Sequence, residues 1–379
     1  MQQPQFANVD AFPVLGELIH LNHAGVAPIS GPAARALRDY ADHAARYGPH
    51  RAGWHRHIRE IRTAAARLIH ARGPHEIAFV ANTSTGLAVV AEGLDWRRGD
   101  NVVITSIEYP ANRYPWQNLA RRGVELIEIE PQRDGRIDVE DVVEAITDRT
   151  RVVSISHVQF STGQRIDLKP IAETVHRAGG YLCVDAIQSV GALPVDVQAM
   201  GIDFLAADGH KWMLGPEGAG IFYCHEELIP LVHPPIVGWL NMVNALDFLN
   251  YRFELREDAQ RFEAGSYNVP GILALGASID LLLEVGMDTV AHHVEAVTTH
   301  LCERLGEKGY RVYSPRTDGA ERSGIVVFEP PAGKPAVEHI VAELERAGIV
   351  IVVRGGRLRA SPHFYNTMEQ MDRLVEALP

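Results

Sequence analysis

Several things this sequence has little of set limits on what it can be. Cysteine occurs three times in 379 residues, as Cys183, Cys224 and Cys302, too few and too scattered for a disulfide framework or a thiolate zinc site. Basic residues number 36 against 48 acidic ones, a formal net charge of −12. Phosphate-backbone recognition needs a basic surface, so nucleic acid is excluded as a main partner. No apolar run approaches ~18 residues, so no membrane span is predicted. The opening MQQPQFANVD lacks the basic-then-apolar pattern of a signal segment. The glycines follow neither the Walker nor the GxGxxG spacing, which argues against a dinucleotide site and with it a Rossmann-type oxidoreductase. What is left has ordinary globular composition and enough length for two domains, and is predicted to be cytoplasmic.

The chain is organised as an α/β protein. From Glu76 onward, short apolar runs at 77–81, 101–105, 125–130, 152–156, 181–185, 203–207 and 220–224 read as strands. Helices fit between most of them, at 86–93, 114–122, 139–146 and 168–178. Such alternation predicts a mostly parallel seven-stranded sheet covered on both faces. Residues 1–25 read as an N-terminal arm and 26–262 as the large domain. A change of composition near 261–271 then opens a linker and a smaller C-terminal α/β domain, 263–379. That domain has a long helical stretch from 272 to about 309, broken near Gly286. Strands at 311–314, 324–328 and around 350–359 follow, with helices at 337–347 and 368–378. Upstream, a loop at 21–30 leads into a helix near 31–40. The helical region 47–71 carries His50, His55 and His57, but no carboxylate accompanies them at ligand spacing, so a solvated helix face is predicted and no metal.

In an open parallel sheet, ligands bind beyond the carboxyl ends of the strands, so the residues to examine are those where an apolar run stops. DFLAADGHKWMLGPEGAG, 203–220, turns polar at Asp208, His210 and Lys211. A lysine just past a buried strand is costly unless paired or used, and Schiff-base chemistry is a use that suits a desolvated amine. GYLCVDAIQSVG, 180–191, stops at Asp185, with Gln188 three residues on. An acid there needs a positive or proton-donating partner, either an ordinary ion pair or a protonated pyridine nitrogen. After 77–81 come Asn82, Thr83, Ser84 and Thr85, a plain helix cap or an anion site at a helix start. Tyr109, in IEYPANRYPW, could cover a ring or simply pack. Arg354, Arg357 and Arg359 could each clamp a carboxylate; alternation puts Arg357 and Arg359 on one strand face and does not separate them.

Asp185, Gln188 and His210–Lys211, taken with the Thr83–Ser84 loop, resemble the class V aminotransferase family of pyridoxal-phosphate (PLP) enzymes of fold type I. That family includes cysteine desulfurases, isopenicillin N epimerase and several carbon–sulfur lyases. The resemblance runs from LNHAG at 21–25 to RASPHFYNT at 359–367. It implies that Lys211 forms the internal aldimine and moves the α-proton, and that Asp185 keeps the pyridine nitrogen protonated, so the ring serves as an electron sink. It further implies that Gln188 bonds the ring hydroxyl and that Tyr109 stacks on the ring. Thr83, Ser84 and His210 look like phosphate ligands, with Asp208 beside them where desulfurases commonly have serine. RFEAGSYNVPG resembles the segment that reaches the neighbouring subunit's phosphate, which makes Ser266 a cofactor contact and implies a homodimer with a shared site. Arg359 matches the arginine that binds the substrate carboxylate, and Asn22 and His23 fall in the segment expected beside it.

Two departures bear on the reaction. Desulfurases carry a nucleophilic cysteine shortly before the carboxylate arginine, whereas here the chain runs through IVIVVRGGRLRAS with no cysteine. Phe160 also replaces an asparagine that desulfurases use at the cofactor. The expectation is a PLP enzyme acting on a small α-amino acid, with transamination named first. A cysteine-independent C–S lyase or an amino-acid epimerase on the same fold is the alternative. A non-catalytic binding protein on this fold would lack the cofactor's visible absorbance.

Overall fold

The computed structural model describes residues 8–48 and 53–379; the part of the arm before Asn8, and His50, lie outside the described residues. Seven strands form one sheet: β1 (Ile77–Val80), β2 (Asn101–Thr105), β3 (Glu125–Ile129), β4 (Thr150–Ser156), β5 (Tyr181–Asp185), β6 (Phe204–Asp208) and β7 (Gly220–Cys224). Their spatial order is β1-β7-β6-β5-β4-β2-β3. Strands β2 to β6 pair in parallel, and β7 runs antiparallel to both of its neighbours. The sheet is therefore mixed and mostly parallel.

These segments are strands because alternate side chains find two different cores. Leu182, Val184, Leu205 and Ile221 bury on one face, while Cys183, Phe204, Ala206 and Phe222 bury on the other. Each large apolar side chain so buried contributes roughly 1.5–3 kcal/mol, so a strand apolar at every position is stable only with both faces covered. Helix Thr83–Gly93 packs over β6 and β7, and Lys169–Arg177 over β4 and β5. The helices Gly31–Tyr47 and Trp54–Leu68 pack on Val269–Val285.

The predicted long helix is two helices, Val269–Val285 and Met287–Glu307, bent by 82° at Gly286. Among the described residues no single helix is long and apolar enough to cross a membrane. Beyond them lies a four-stranded antiparallel sheet of β8 (Arg311–Val312), β9 (Val326–Glu329), β10 (Val352–Arg354) and β11 (Arg357–Ala360), in the order β10-β11-β9-β8. The strand region predicted around 350–359 is thus a hairpin. Arg354 pairs with Arg357, and Gly355 and Gly356 form its two-residue turn at φ +56° and +73°, the left-handed pair that tight hairpins require.

The N-terminal arm is built into this C-terminal unit. Ile19–His20 pairs in parallel with Ile349–Val350, Asn22 bridges Ser361, and Leu21 lies in the same core as Leu358 and Leu374. That pairing sets Asn22 beside β11.

Candidate active site

The carboxyl ends of β2, β4, β5 and β6 open on one edge of the sheet, and a cavity of about 430 Å³ lies there. Asn22, Thr83, Ser84, Tyr109, Asp185, Gln188, Asp208, His210, Lys211 and Arg359 all line it. A larger cavity, about 520 Å³, lies between residues 136–144 and 318–321 and holds none of these groups.

Asp185 ends β5, and Lys211 follows β6 by three residues. Both are buried, at 2% and 8% exposure, and no ion pair joins them. Burial drives the Lys211 amine toward its neutral form, with Asp185 opposing and Arg359 reinforcing the shift. Burial likewise pushes the Asp185 carboxyl up; the Ile187 N–H opposes this and the charge of Glu108 adds to it. The Lys211 Nζ stands 5.5 Å from the centroid of the Tyr109 ring. Phe160 braces that ring edge-on, 5.1 Å away at 83°. Gln188 donates to the Ala24 carbonyl (3.0 Å) and accepts from the Trp212 indole N–H (2.9 Å), which leaves one amide hydrogen for a ligand.

At the start of helix Thr83–Gly93, Asn82 caps the Thr85 N–H. The N–H groups of Thr83 and Ser84 have no partner within the helix and point with its positive dipole end. Thr83 Oγ1 accepts the Asp208 N–H (3.0 Å), which ties the helix start to the end of β6. Asp208, expected beside the phosphate ligands, lines the same cavity. Its Oδ1 accepts the Gly209 N–H (2.7 Å), and its Oδ2 lies 2.8 Å from His210 Nδ1 in a charge contact not aligned as a hydrogen bond. Both Asp208 oxygens thus stand against protein groups, Gly209 and His210.

At the other side of the cavity Arg359 is 1% exposed. It donates to the Phe160 carbonyl (3.0 Å) and to Asn22 Oδ1 (3.3 Å), and its Nε is buried without a partner. No carboxylate pairs with it among the described residues. Burial, helped by Arg354, lowers its pKa to about 9. A buried guanidinium without an anion is costly, and the cavity is the place where an anion can reach it. Arg357 points elsewhere: it pairs with Glu329 and stacks on Tyr313. Alternation could not separate the two arginines because the difference lies in what packs opposite each.

Two expected residues lie off the cavity wall. His23 is fully buried, with Nδ1 at 2.8 Å from the Ser361 carbonyl and Nε2 at 2.6 Å from the Tyr365 hydroxyl. Both ring nitrogens are thus occupied, so His23 fastens the N-terminal segment to residues 361–365 and does not line the cavity. Ser266 is exposed and does not line this chain's own cavity. Sequence reasoning also missed Glu108 and Glu217. Glu217 is an exposed cavity residue in the glycine-rich loop, and Glu108 is a buried acid next to Tyr109; an acid following a strand end was the available signal for it.

No cysteine lines the cavity. Cys183 and Cys224 are buried in the sheet's second core, where burial pushes both thiols well above their usual range. Cys302 lies on the helix Met287–Glu307, against the C-terminal core.

The donor set fits PLP: an unpaired buried amine, a buried acid facing the same cavity, an aromatic wall, and free N–H groups at a helix start. Residues 21–374 match the family Aminotransferase class-V. A probable cysteine desulfurase of Methanothermobacter thermautotrophicus is 32% identical, over 97% of this chain and 95% of that one. Among solved structures, the apo cysteine desulfurase of Thermococcus onnurineus superposes with a TM-score of 0.88 at 28% identity, covering 99% and 97% of the two chains. The cystine C–S lyase C-DES, in complex with its product cysteine persulfide, gives 0.87 at 25% identity, covering 96% and 98%. A C-DES mutant carries glycine covalently linked to the PLP cofactor, with a TM-score of 0.89 at 25% identity over 97% and 98%. Fold, site chemistry and family match converge: this chain belongs to the class V aminotransferase family and is a PLP-dependent enzyme.

Proposed function

We propose that the protein cleaves the carbon–sulfur bond of cystine, or of a related S-substituted cysteine, by β-elimination. With cystine, substrate and one water give pyruvate, ammonium and cysteine persulfide. Arg359, steadied by Asn22, receives the substrate carboxylate and fixes the direction of Cα. Lys211 Nζ, desolvated and therefore a competent base near neutral pH, takes the Cα proton. When bound, PLP supplies an electron sink for the pair that proton leaves behind. The Cβ–S bond then breaks with its electron pair leaving on sulfur, which takes up a proton as a thiol or persulfide, and water hydrolyses the released three-carbon enamine to pyruvate and ammonium. Asp185 provides negative charge at the site's inner end, and the Tyr109 ring, braced by Phe160, walls one side of the cavity.

The single observation that carries this reading is the closed hairpin before Arg359. Two glycines make its whole turn, so no loop is present there to bring a thiol to the cavity. Relatives named for desulfuration and for cystine cleavage support sulfur amino acids as the substrate class. The missing thiol favours releasing the sulfur over holding it on the protein. Transamination, the first expectation, would use the same lysine, but none of these relatives is named for it.

A homodimer completes the reading. Leu246, Leu249, Tyr251 and Phe253 are 75–95% exposed, a patch whose burial by a second copy would be favourable. Ser266, outside its own cavity, is then available to the partner's site.

The test is product analysis with cystine and no keto-acid acceptor. Pyruvate and ammonium in equal amounts are expected, and Lys211→Ala should stay folded while losing both that activity and the cofactor's visible band. Keto acid formed only when an acceptor is added, or alanine with protein-bound sulfur, would overturn the proposal.

A further inference from the structure

Glu108 carries more hydrogen bonds than any simple structural reading of its position asks for. It follows β2 in the turn that leads to Tyr109, and it is 6% exposed. Its Oε1 accepts from Thr105 Oγ1 (2.9 Å), the Ser156 N–H (3.1 Å) and Gln159 Nε2 (2.8 Å). Its Oε2 accepts from Asn112 Nδ2 (3.0 Å) and the Ser156 hydroxyl. Each oxygen thus receives at least one N–H that can only donate, and Oε1 faces three donors in all, an arrangement that suits a carboxylate. Among the described residues no arginine, lysine or histidine bonds or ion-pairs with it, so the donors around it are neutral groups.

Its neighbours explain the arrangement. Thr105 and Asn112 bracket the turn that presents Tyr109. Ser156, at the end of β4, pairs in register with Asp185. The carboxylate therefore joins the turn of the aromatic wall to the strand beside the one ending in Asp185.

We propose that Glu108 is a positioning residue of the cofactor site, whose buried carboxylate clamps the Tyr109 turn and lends a second fixed negative charge beside Asp185. The inference rests on the Lys211–Asp185 reading of the site and is independent of which bond the enzyme breaks. Glu108 already acts on Asp185, whose carboxyl it helps to push up. The charges bearing on Lys211 are Asp185, Asp208, Arg354 and Arg359. Two of the four are cations, and a carboxylate bonded to Ser156, the register partner of Asp185, adds to the anionic side of that balance.

The test uses the PLP-loaded enzyme and reads the pH midpoint of its visible band and its affinity for PLP. Glu108→Gln keeps the shape and removes the charge; its midpoint is expected to fall by roughly half to one pH unit. Ser156→Ala removes a donor and keeps the charge, so its midpoint is expected to stay within about 0.2 unit of the parent's. Glu108→Asp keeps the charge but withdraws it from its donors, and should weaken PLP binding by about threefold or more through the loosened Tyr109 turn. A folded Glu108→Gln with an unchanged midpoint would overturn the proposal, as would a Ser156→Ala variant that shifts equally. Should Glu108→Gln fail to fold, unaltered PLP affinity in Glu108→Asp overturns it.

Discussion

Arg359 is the residue whose surroundings make least sense without a bound anion. It is buried, it donates to one carbonyl and one amide oxygen, and its Nε has no partner. Arg359→Lys retains a charge but loses the planar fork that grips a carboxylate at two points. KM for the amino-acid substrate is expected to rise by about 30-fold or more, with kcat changed less and the visible band retained. Steady-state kinetics on cystine check this; an unchanged KM would remove Arg359 from the substrate site. At this scale the sequence was informative wherever an apolar run stopped at a charged residue, as at Asp185 and Lys211. It did not register the surroundings of His23, because the ring's partners, Ser361 and Tyr365, come from a segment far away along the chain. Asp208 lay at the cavity as expected, and the structure adds that one of its oxygens accepts the Gly209 N–H and the other stands beside His210.

Among the elements, the turn 185–191 matters most for the lysine loop. Gly191 has φ +96°, and a Cβ there would sit 2.3 Å from the Trp212 carbonyl oxygen, one residue past Lys211. Gly179 has a similar φ of +80° but open space around it. Gly179→Ala should therefore cost only the backbone penalty, about 1 kcal/mol. Gly191→Ala should cost on the order of 2 kcal/mol more and weaken PLP binding as Trp212 shifts. Chemical denaturation of both variants checks the difference, and equal losses would contradict a role for this close approach. Strand positions were legible because burial on both faces forces unbroken apolar runs. Helix starts were less so: Thr83–Ser84–Thr85 reads as a loop by composition, yet Asn82 caps it and the helix begins at Thr83. The predicted helix at 114–122 tightens into a 3₁₀ turn after Gln117, a change that composition does not register.

For the whole molecule, function depends on contacts between distant parts of the chain. The N-terminal segment pairs with residues 349–350 and delivers Asn22 to Arg359. The buried pair Arg62–Glu263, bonded at 2.6 and 3.0 Å, anchors the segment that carries Ser266 to the helix Trp54–Leu68. The mostly parallel sheet then gathers Asp185, Asp208 and Lys211 on one edge. None of the three cysteines reaches that edge, so the account stands on carbon–sulfur cleavage without a protein thiol. Its most direct test is the combined variant Cys183→Ala, Cys224→Ala and Cys302→Ala, loaded with PLP and assayed for pyruvate from cystine. Activity within about twofold of the parent is predicted, because no thiol takes part in the steps proposed. Loss of pyruvate formation in a folded variant that still binds PLP would contradict the account.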